Sequence, residues 1–327
     1  MIIVTGGAGF IGSNLVAALE EAGQRVVVSD WLGTDDKWRN LAKRDMEDCV
    51  RPEDLPAFLD RHAKHIDIVF HLGAISATTE TDGDAIVRNN FRLSKDLWLW
   101  CANQGVRFIY ASSAATYGDG AAGFDDNDAP EHLAKLRPLN LYGWSKHWFD
   151  RWVTAQAENP KRPPQCAGLK FFNVYGPNEY HKGGMRSVVH QIFPVAQKGE
   201  SFALFKSHRP DYQDGGQLRD FVWVGDVVNV MLWLQEKEEV NGLFNVGSGK
   251  ARSFADLGAA TYRAVGRDPS LTYRDMPENL RAKYQYFTEA KLGKLAAAGY
   301  DVSRMTSLED GVRLYVQNFL QQDDPYR

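Results

Sequence analysis

Ile2-Ile3-Val4-Thr5-Gly6-Gly7-Ala8-Gly9-Phe10-Ile11-Gly12 is the stretch from which the rest of the chain is read. Residues 2 to 5 form a short apolar, β-branched run, the signature of a buried strand, and residues 10 to 21 carry apolar side chains at helical spacing. The glycines between them satisfy both G-x-x-G-x-x-G and G-x-G-x-x-G spacing. Glycine there permits a tight turn, lets the backbone approach a pyrophosphate and lets helix and strand pack closely; the helix N-terminus then offers free N–H groups to phosphate. The next apolar run, Val26 to Asp30, ends on a carboxylate placed to bind a ribose hydroxyl. A dinucleotide site is expected, with Gly6, Gly9, Phe10, Ile11, Gly12 and Asp30 at the cofactor.

Outward from that loop, apolar runs recur at Ile66 to His71, Phe108 to Ser112, Leu169 to Asn173 and Leu243 to Val246. Helical periodicity fills Glu53 to Lys64, Asp84 to Asn103, Tyr142 to Ala157 and Asp226 to Glu236. Strand-helix alternation of this kind predicts an α/β fold, a Rossmann-type doubly wound parallel sheet. Residues 1–173, with returning segments about 219–248, are expected to form the dinucleotide-binding domain. Residues 174–218 and 249–327 are expected to form a smaller, mixed α/β substrate-binding domain, with helical stretches at Ser253 to Val265, Glu289 to Ala298 and Leu308 to Leu320. The Gly/Pro-rich segment Tyr175 to Leu218 belongs to that part, and His208 to Leu218, polar and rich in turn formers, reads as a mobile surface loop.

Composition removes several function classes. A formal net charge of −4 gives no electrostatic reason to expect nucleic acid or an anionic membrane as partner. Cys49, Cys101 and Cys166 are far apart and form no C-x-x-C pair, so no metal site is expected and a reducing compartment fits. No apolar run approaches the ~18 residues of a membrane span, and the chain begins directly on a strand, so a cytoplasmic location is expected.

The chemistry is expected from a second constellation. Tyr142-Gly-Trp-Ser-Lys146 places a phenol and an ammonium one helical turn apart on the same face. A neighbouring ammonium favours phenolate, so Lys146 is expected to lower the pKa of Tyr142 toward a range useful for proton transfer. Tyr110-Ala-Ser112-Ser113 ends a strand at the carboxyl edge of the sheet, where Ser113 can hydrogen-bond a reacting hydroxyl. Y-x-x-x-K alone is common on ordinary helices. Together with the glycine loop and the serine-bearing strand, it points to an enzyme.

These residues resemble the extended short-chain dehydrogenase/reductase family. Further support comes from His71-Leu-Gly-Ala74, Asn89-Asn90, Phe172-Asn-Val-Tyr-Gly-Pro177, Arg219-Asp-Phe-Val-Trp-Val-Gly-Asp226 and Phe244-Asn-Val-Gly-Ser248. The resemblance implies a nucleotide-sugar substrate, a bound nicotinamide cofactor and a homo-oligomer. His71 to Glu80, Asn173 to Gly183 and Lys283-Tyr-Gln-Tyr-Phe-Thr288 are similar to the branch that inverts the C6 carbinol of ADP-activated heptoses for lipopolysaccharide core. That likeness implies Tyr142 and Lys182 as paired acid/base groups, with Lys146 and Ser113 in support. It implies Trp31, Lys37, Leu72, Gly73, Ala74, Ile75, Ser76, Asn89, Val174 and Lys182 at the cofactor beside the glycine loop, Tyr142 and Lys146. It also implies Ser113, Asn173, Gly184, Gln191, Phe205, Arg219 and Tyr284 at the substrate.

The chain departs from the branch where Gly184 and Gln191 replace a serine and a histidine, and where Pro52 replaces a lysine. Asp30 alone favours NAD, whereas Lys37, Arg39 and Arg51 could pair a 2′-phosphate; the likeness implies NADP, with NAD possible. The alternatives are another nucleotide-sugar epimerase, of the UDP-hexose 4-epimerase type, a nucleotide-sugar dehydratase, or a non-catalytic dinucleotide sensor. Ala114-Ala115 after Ser113 speaks against the dehydratase, and the intact Ser113, Tyr142 and Lys146 set against the sensor.

Overall fold

The computed structural model describes residues 1–281 and 284–327, so Lys283, which opens one of the quoted segments, lies outside the described residues. Twelve strands follow in chain order: β1 (Ile2–Thr5), β2 (Val26–Ser29), β3 (Asp48–Val50), β4 (Ile68–His71), β5 (Arg107–Ser113) and β6 (Cys166–Phe171). The remainder are β7 (Asn173–Tyr175), β8 (Phe202–Phe205), β9 (Leu218–Trp223), β10 (Gly242–Val246), β11 (Ala251–Ser253) and β12 (Leu271–Arg274).

Seven strands make one sheet in the order β10-β6-β5-β4-β1-β2-β3, with every neighbouring pair parallel. This is the doubly wound arrangement that the alternation predicted. Because helices cover both faces, β1, β2 and β4 are buried at every position and read as continuous apolar runs rather than alternating ones. Helices Phe10–Glu21 and Val224–Glu236 pack on one face, and Leu55–His62, Leu93–Gln104 and Leu141–Thr154 on the other. Strand order reverses between β1 and β4, so the crevice at their carboxyl ends is the place for a ligand.

The chain leaves this sheet after Phe171 and returns to it with β10. Between and after lie a three-stranded sheet, β11-β9-β7, and a two-stranded sheet, β12-β8. Helix Val188–Lys198 occupies the middle of the Gly/Pro-rich segment and carries Pro194 inside it. The segment expected to be a surface loop is hydrogen-bonded at its two ends. Ser207 N donates to Asp214, Gly215 N to the Phe205 carbonyl, His208 N to the Tyr286 hydroxyl, and Gln217 Nε2 to the Lys206 carbonyl. Among the described residues no helix is long and apolar enough to cross a membrane.

Candidate active site

The crevice at the switch point opens into a cavity of about 860 Å³. Its floor is set by glycine. Gly6 adopts φ +67°, and a Cβ there would lie 2.6 Å from Gly73 N, so the turns after β1 and β4 meet backbone to backbone. A Cβ on Gly12 would stand 2.1 Å from the Gly6 carbonyl oxygen, which explains glycine in the first turn of the helix. Gly9, the N-cap, contributes no capping side chain, and the first turn carries no acid, leaving N–H groups and the positive helix end for phosphate. This cradle and its donors fit a dinucleotide.

At the far end of the cradle the Asp30 carboxylate accepts from Ala8 N at 2.9 Å, Trp31 N at 2.8 Å and Lys37 Nζ at 2.6 Å. Lys37 and Pro52 line the cavity, whereas Arg39 and Arg51 do not. Arg39 lies over the Tyr326 ring and Arg51 pairs with Glu53. Behind the cradle His71 accepts from Thr5 Oγ1 through Nδ1 (2.7 Å) and donates from Nε2 to Ser94 Oγ (2.8 Å), since Ser94 spends its own hydrogen on the Asn90 carbonyl. One donor and one acceptor define a neutral ring.

Burial first, and Lys146 second, push the His71 pKa from 6.5 to about 3. Below 6.5 the unfolded chain takes up this proton while the folded protein refuses it, so stability falls as pH drops from 6.5 toward 3. His147 and His190, both pushed to about 4 chiefly by burial, act in the same direction. Thermal melts between pH 7 and 4 are expected to show a falling midpoint with a shallower slope in His71→Asn. An unchanged slope would remove His71 from the effect.

Ser113, Tyr142, Lys146 and Lys182, the residues expected to carry the chemistry, line the same cavity. Helix Leu141–Thr154 starts on Asn140, whose side chain accepts from Gly143 N. A Cβ on Gly143 would stand 2.7 Å from the Ala115 carbonyl, so the helix seats directly on the turn that follows Ser113. Asn90 joins the pieces: its side chain receives Ile75 N and donates to the Ile75 carbonyl and to Ser145 Oγ on helix Leu141–Thr154. Beneath them Asp150 accepts from Tyr110 (3.0 Å), Ser112 (2.7 Å) and Lys170 Nζ (2.6 Å), a fully buried ion pair spanning helix, β5 and β6.

The expected lowering of the Tyr142 pKa is corrected. Burial pushes the phenol upward, the Ser113 hydroxyl opposes this, and Asp150 adds to it. Burial pulls the Lys146 ammonium down to about 8, against Asp150. Lys182 sits on the turn Tyr180–Met185, with Nζ 5.3 Å from the centre of the Phe10 ring. Burial lowers its pKa, and Glu179 opposes this. The loop is anchored to the first helix: Asn14 Nδ2 donates to the Pro177 carbonyl and Asn178 Nδ2 to Ser13 Oγ. Arg327 N donates to Asn178 Oδ1, and Tyr180 to the Pro325 carbonyl.

Every residue expected at the cofactor lines this cavity, as do Ser113 and Asn173. Gly184, Gln191, Phe205, Arg219 and Tyr284 do not. Gln191 Nε2 instead holds the Arg186 carbonyl at 2.9 Å, and Gly184 is an exposed turn residue. Arg219 lies 5.1 Å over the Tyr284 ring and 5.8 Å over Phe254, while Phe205 meets Tyr284 edge-on. These three form a cluster on the small sheets whose contact with the cavity passes through Phe254. Sequence reasoning missed Met185, Arg186, Phe254 and Leu257, which line the wall. Phe254 and Leu257 begin an amphipathic helix and look like ordinary core in sequence.

A model of the NAD dependent epimerase/dehydratase family matches residues 2–247. Over their whole lengths, the chain is 51% identical to an ADP-L-glycero-D-manno-heptose-6-epimerase of Nitratidesulfovibrio vulgaris and 48% identical to one of Fusobacterium nucleatum. The crystal structure of the Helicobacter pylori ADP-L-glycero-D-manno-heptose-6-epimerase superimposes with a TM-score of 0.76 at 28% identity, covering 97% of this chain and 95% of that one. A cavity built on the sheet's switch point, a serine, tyrosine and lysine converging on it, and likeness along the full chain lead to one conclusion: the protein belongs to the NAD dependent epimerase/dehydratase family.

Proposed function

We propose that the protein inverts C6 of ADP-glycero-manno-heptose, supplying heptose for lipopolysaccharide core. The observation that carries this reading is the entry of Lys182, on its anchored loop, into the cavity that holds Ser113, Tyr142 and Lys146. A carbinol carbon with no adjacent carbonyl is too weak an acid to invert by deprotonation, so inversion passes through a ketone. The nicotinamide, when bound on the Gly6–Gly12 cradle, supplies reversible hydride transfer without net redox. Tyr142 and Lys182 hold and move the proton at the C6 oxygen, one for each orientation of the sugar. Ser113 hydrogen-bonds that oxygen, and Lys146 orients the cofactor ribose and stabilises phenolate when charged.

NADP is the proposed cofactor, because Lys37 neutralises the carboxylate of Asp30 that would otherwise repel a 2′-phosphate. Residues 1–173 and the return through β10 carry the cofactor, and 174–218 with 249–327 carry the sugar nucleotide. We place the enzyme in the cytoplasm as a homo-oligomer, with the part-exposed Trp144 and Trp148 as a candidate contact surface. The test is to incubate purified protein with ADP-D-glycero-D-manno-heptose in D2O and follow C6 by NMR. Inversion without deuterium at C6 is expected. No inversion, or turnover of UDP-glucose instead, would overturn the reading.

A further inference from the structure

We propose that Arg186, which neither the motifs nor the family likeness singles out, binds the diphosphate of the nucleotide sugar. The inference rests on the nucleotide-sugar reading of the cavity. A diphosphate entering a partly buried site needs cations to replace its water. The wall offers Lys37, Lys146, Lys182 and Arg186, a histidine, His181, that burial and then Lys37 and Lys182 hold toward its neutral form, and one carboxylate, Asp30. Lys37 is spent on Asp30, at the end of β2 and away from the reacting carbon. Lys146 and Lys182, both lowered by burial, belong to the proton chemistry.

Arg186 remains. Among the described residues no carboxylate lies within ion-pair reach of its guanidinium, and its side-chain hydrogen bond runs from Nε to the Gly183 carbonyl at 2.7 Å. Both terminal nitrogens are therefore open, in the planar fork that matches two phosphate oxygens. The backbone is fixed on both sides of it. Gln191 holds its carbonyl, and Ser187 gives its N–H and hydroxyl to Glu179, each at 2.6 Å. Arg219, expected at the nucleotide, is packed between aromatic rings and lies outside the wall. Gln191 thus serves the substrate indirectly, as a positioning residue for Arg186.

The test is calorimetric titration of ADP, UDP and AMP into cofactor-loaded wild type, Arg186→Ala and Arg186→Lys, alongside KM and kcat with the ADP-sugar. Loss of a charge-assisted bidentate contact is expected to weaken ADP and raise KM by about tenfold to a hundredfold, with kcat changing much less. AMP is expected to lose less, and Arg186→Lys to recover only part. ADP affinity within twofold of wild type in Arg186→Ala would overturn the assignment, as would loss of bound nicotinamide cofactor with ADP affinity intact. The outcomes separate from those of the parent reading. If wild type binds UDP but not ADP, and Arg186→Ala weakens UDP, the heptose reading fails while Arg186 keeps its role. If wild type inverts ADP-heptose and Arg186→Ala binds ADP equally well, Arg186 alone fails.

Discussion

Tyr142→Phe and Lys182→Met are each expected to lower epimerisation of ADP-heptose by about 10²- to 10⁴-fold, the range for loss of a positioned acid/base group. Inversion needs a proton partner on each of two orientations of the sugar, so removing either residue blocks the complete cycle in both directions. Tyr142→Phe keeps the ring that lines the wall and removes only the oxygen, and Lys182→Met removes the ammonium over Phe10 while keeping a side chain of similar length. Folding and cofactor content are therefore expected to stay close to wild type. The measurements are NMR turnover, bound nicotinamide and melting temperature on each variant. If Lys182→Met retains near-full turnover, the lysine binds phosphate and is not a base. If both variants lose cofactor in step with activity, the proton assignment loses its support.

Lys170→Met is expected to destabilise the fold by about 3–5 kcal/mol, the cost of leaving one member of a buried ion pair uncompensated. Asp150 would keep its hydrogen bonds from Tyr110 and Ser112 but lose the charge that balances it. Lys170 also donates to Thr116 and sits 5.0 Å over the Tyr117 ring, so three elements loosen at once. Replacing both partners, as Asp150→Leu with Lys170→Met, is expected to recover a large part of the loss, because two apolar side chains need no charge balance. Urea denaturation of the two variants measures this. A loss under about 1 kcal/mol for Lys170→Met, the scale of an exposed ion pair, would show that water reaches the pair.

The large sheet was legible because its strands are short apolar runs and its helices carry 3.6-residue periodicity. Helix Phe10–Glu21 falls where the pattern placed it. Edge strand β3 was missed because two of its three residues are exposed and it carries no apolar run. The bounds of helix Val188–Lys198 were not legible in periodicity, since Pro194 reads as a breaker, yet the helix survives on tertiary packing against Phe254–Ala264. The cofactor wall was legible because its chemistry lies in local motifs. The opposite wall, proposed for the substrate, was not, since it is assembled from residues distant in sequence. Arg186, Phe254 and Leu257 meet only when the small sheets fold beside the large one. The direction of the Tyr142 shift was misjudged for a related reason: helical spacing shows the neighbouring lysine but not the burial of the phenol itself, which pushes its pKa up.

The contact between Gly6 and Gly73 bears on how such an enzyme can be retargeted. A side chain at Gly6 would run into the Gly73 backbone in a left-handed turn, and one at Gly73 would stand 3.2 Å from Gly6 N and Thr5 Oγ1, so the half of the cavity nearest the switch point leaves little room for change. Arg186, Phe254 and Leu257 lie on elements that are not strands of that sheet, on the turn before helix Val188–Lys198 and on the helix after β11. Changes of sugar or base preference can therefore be sought there by library screening, with hydride chemistry held constant, whereas a library centred on the glycine loop would return mostly empty protein.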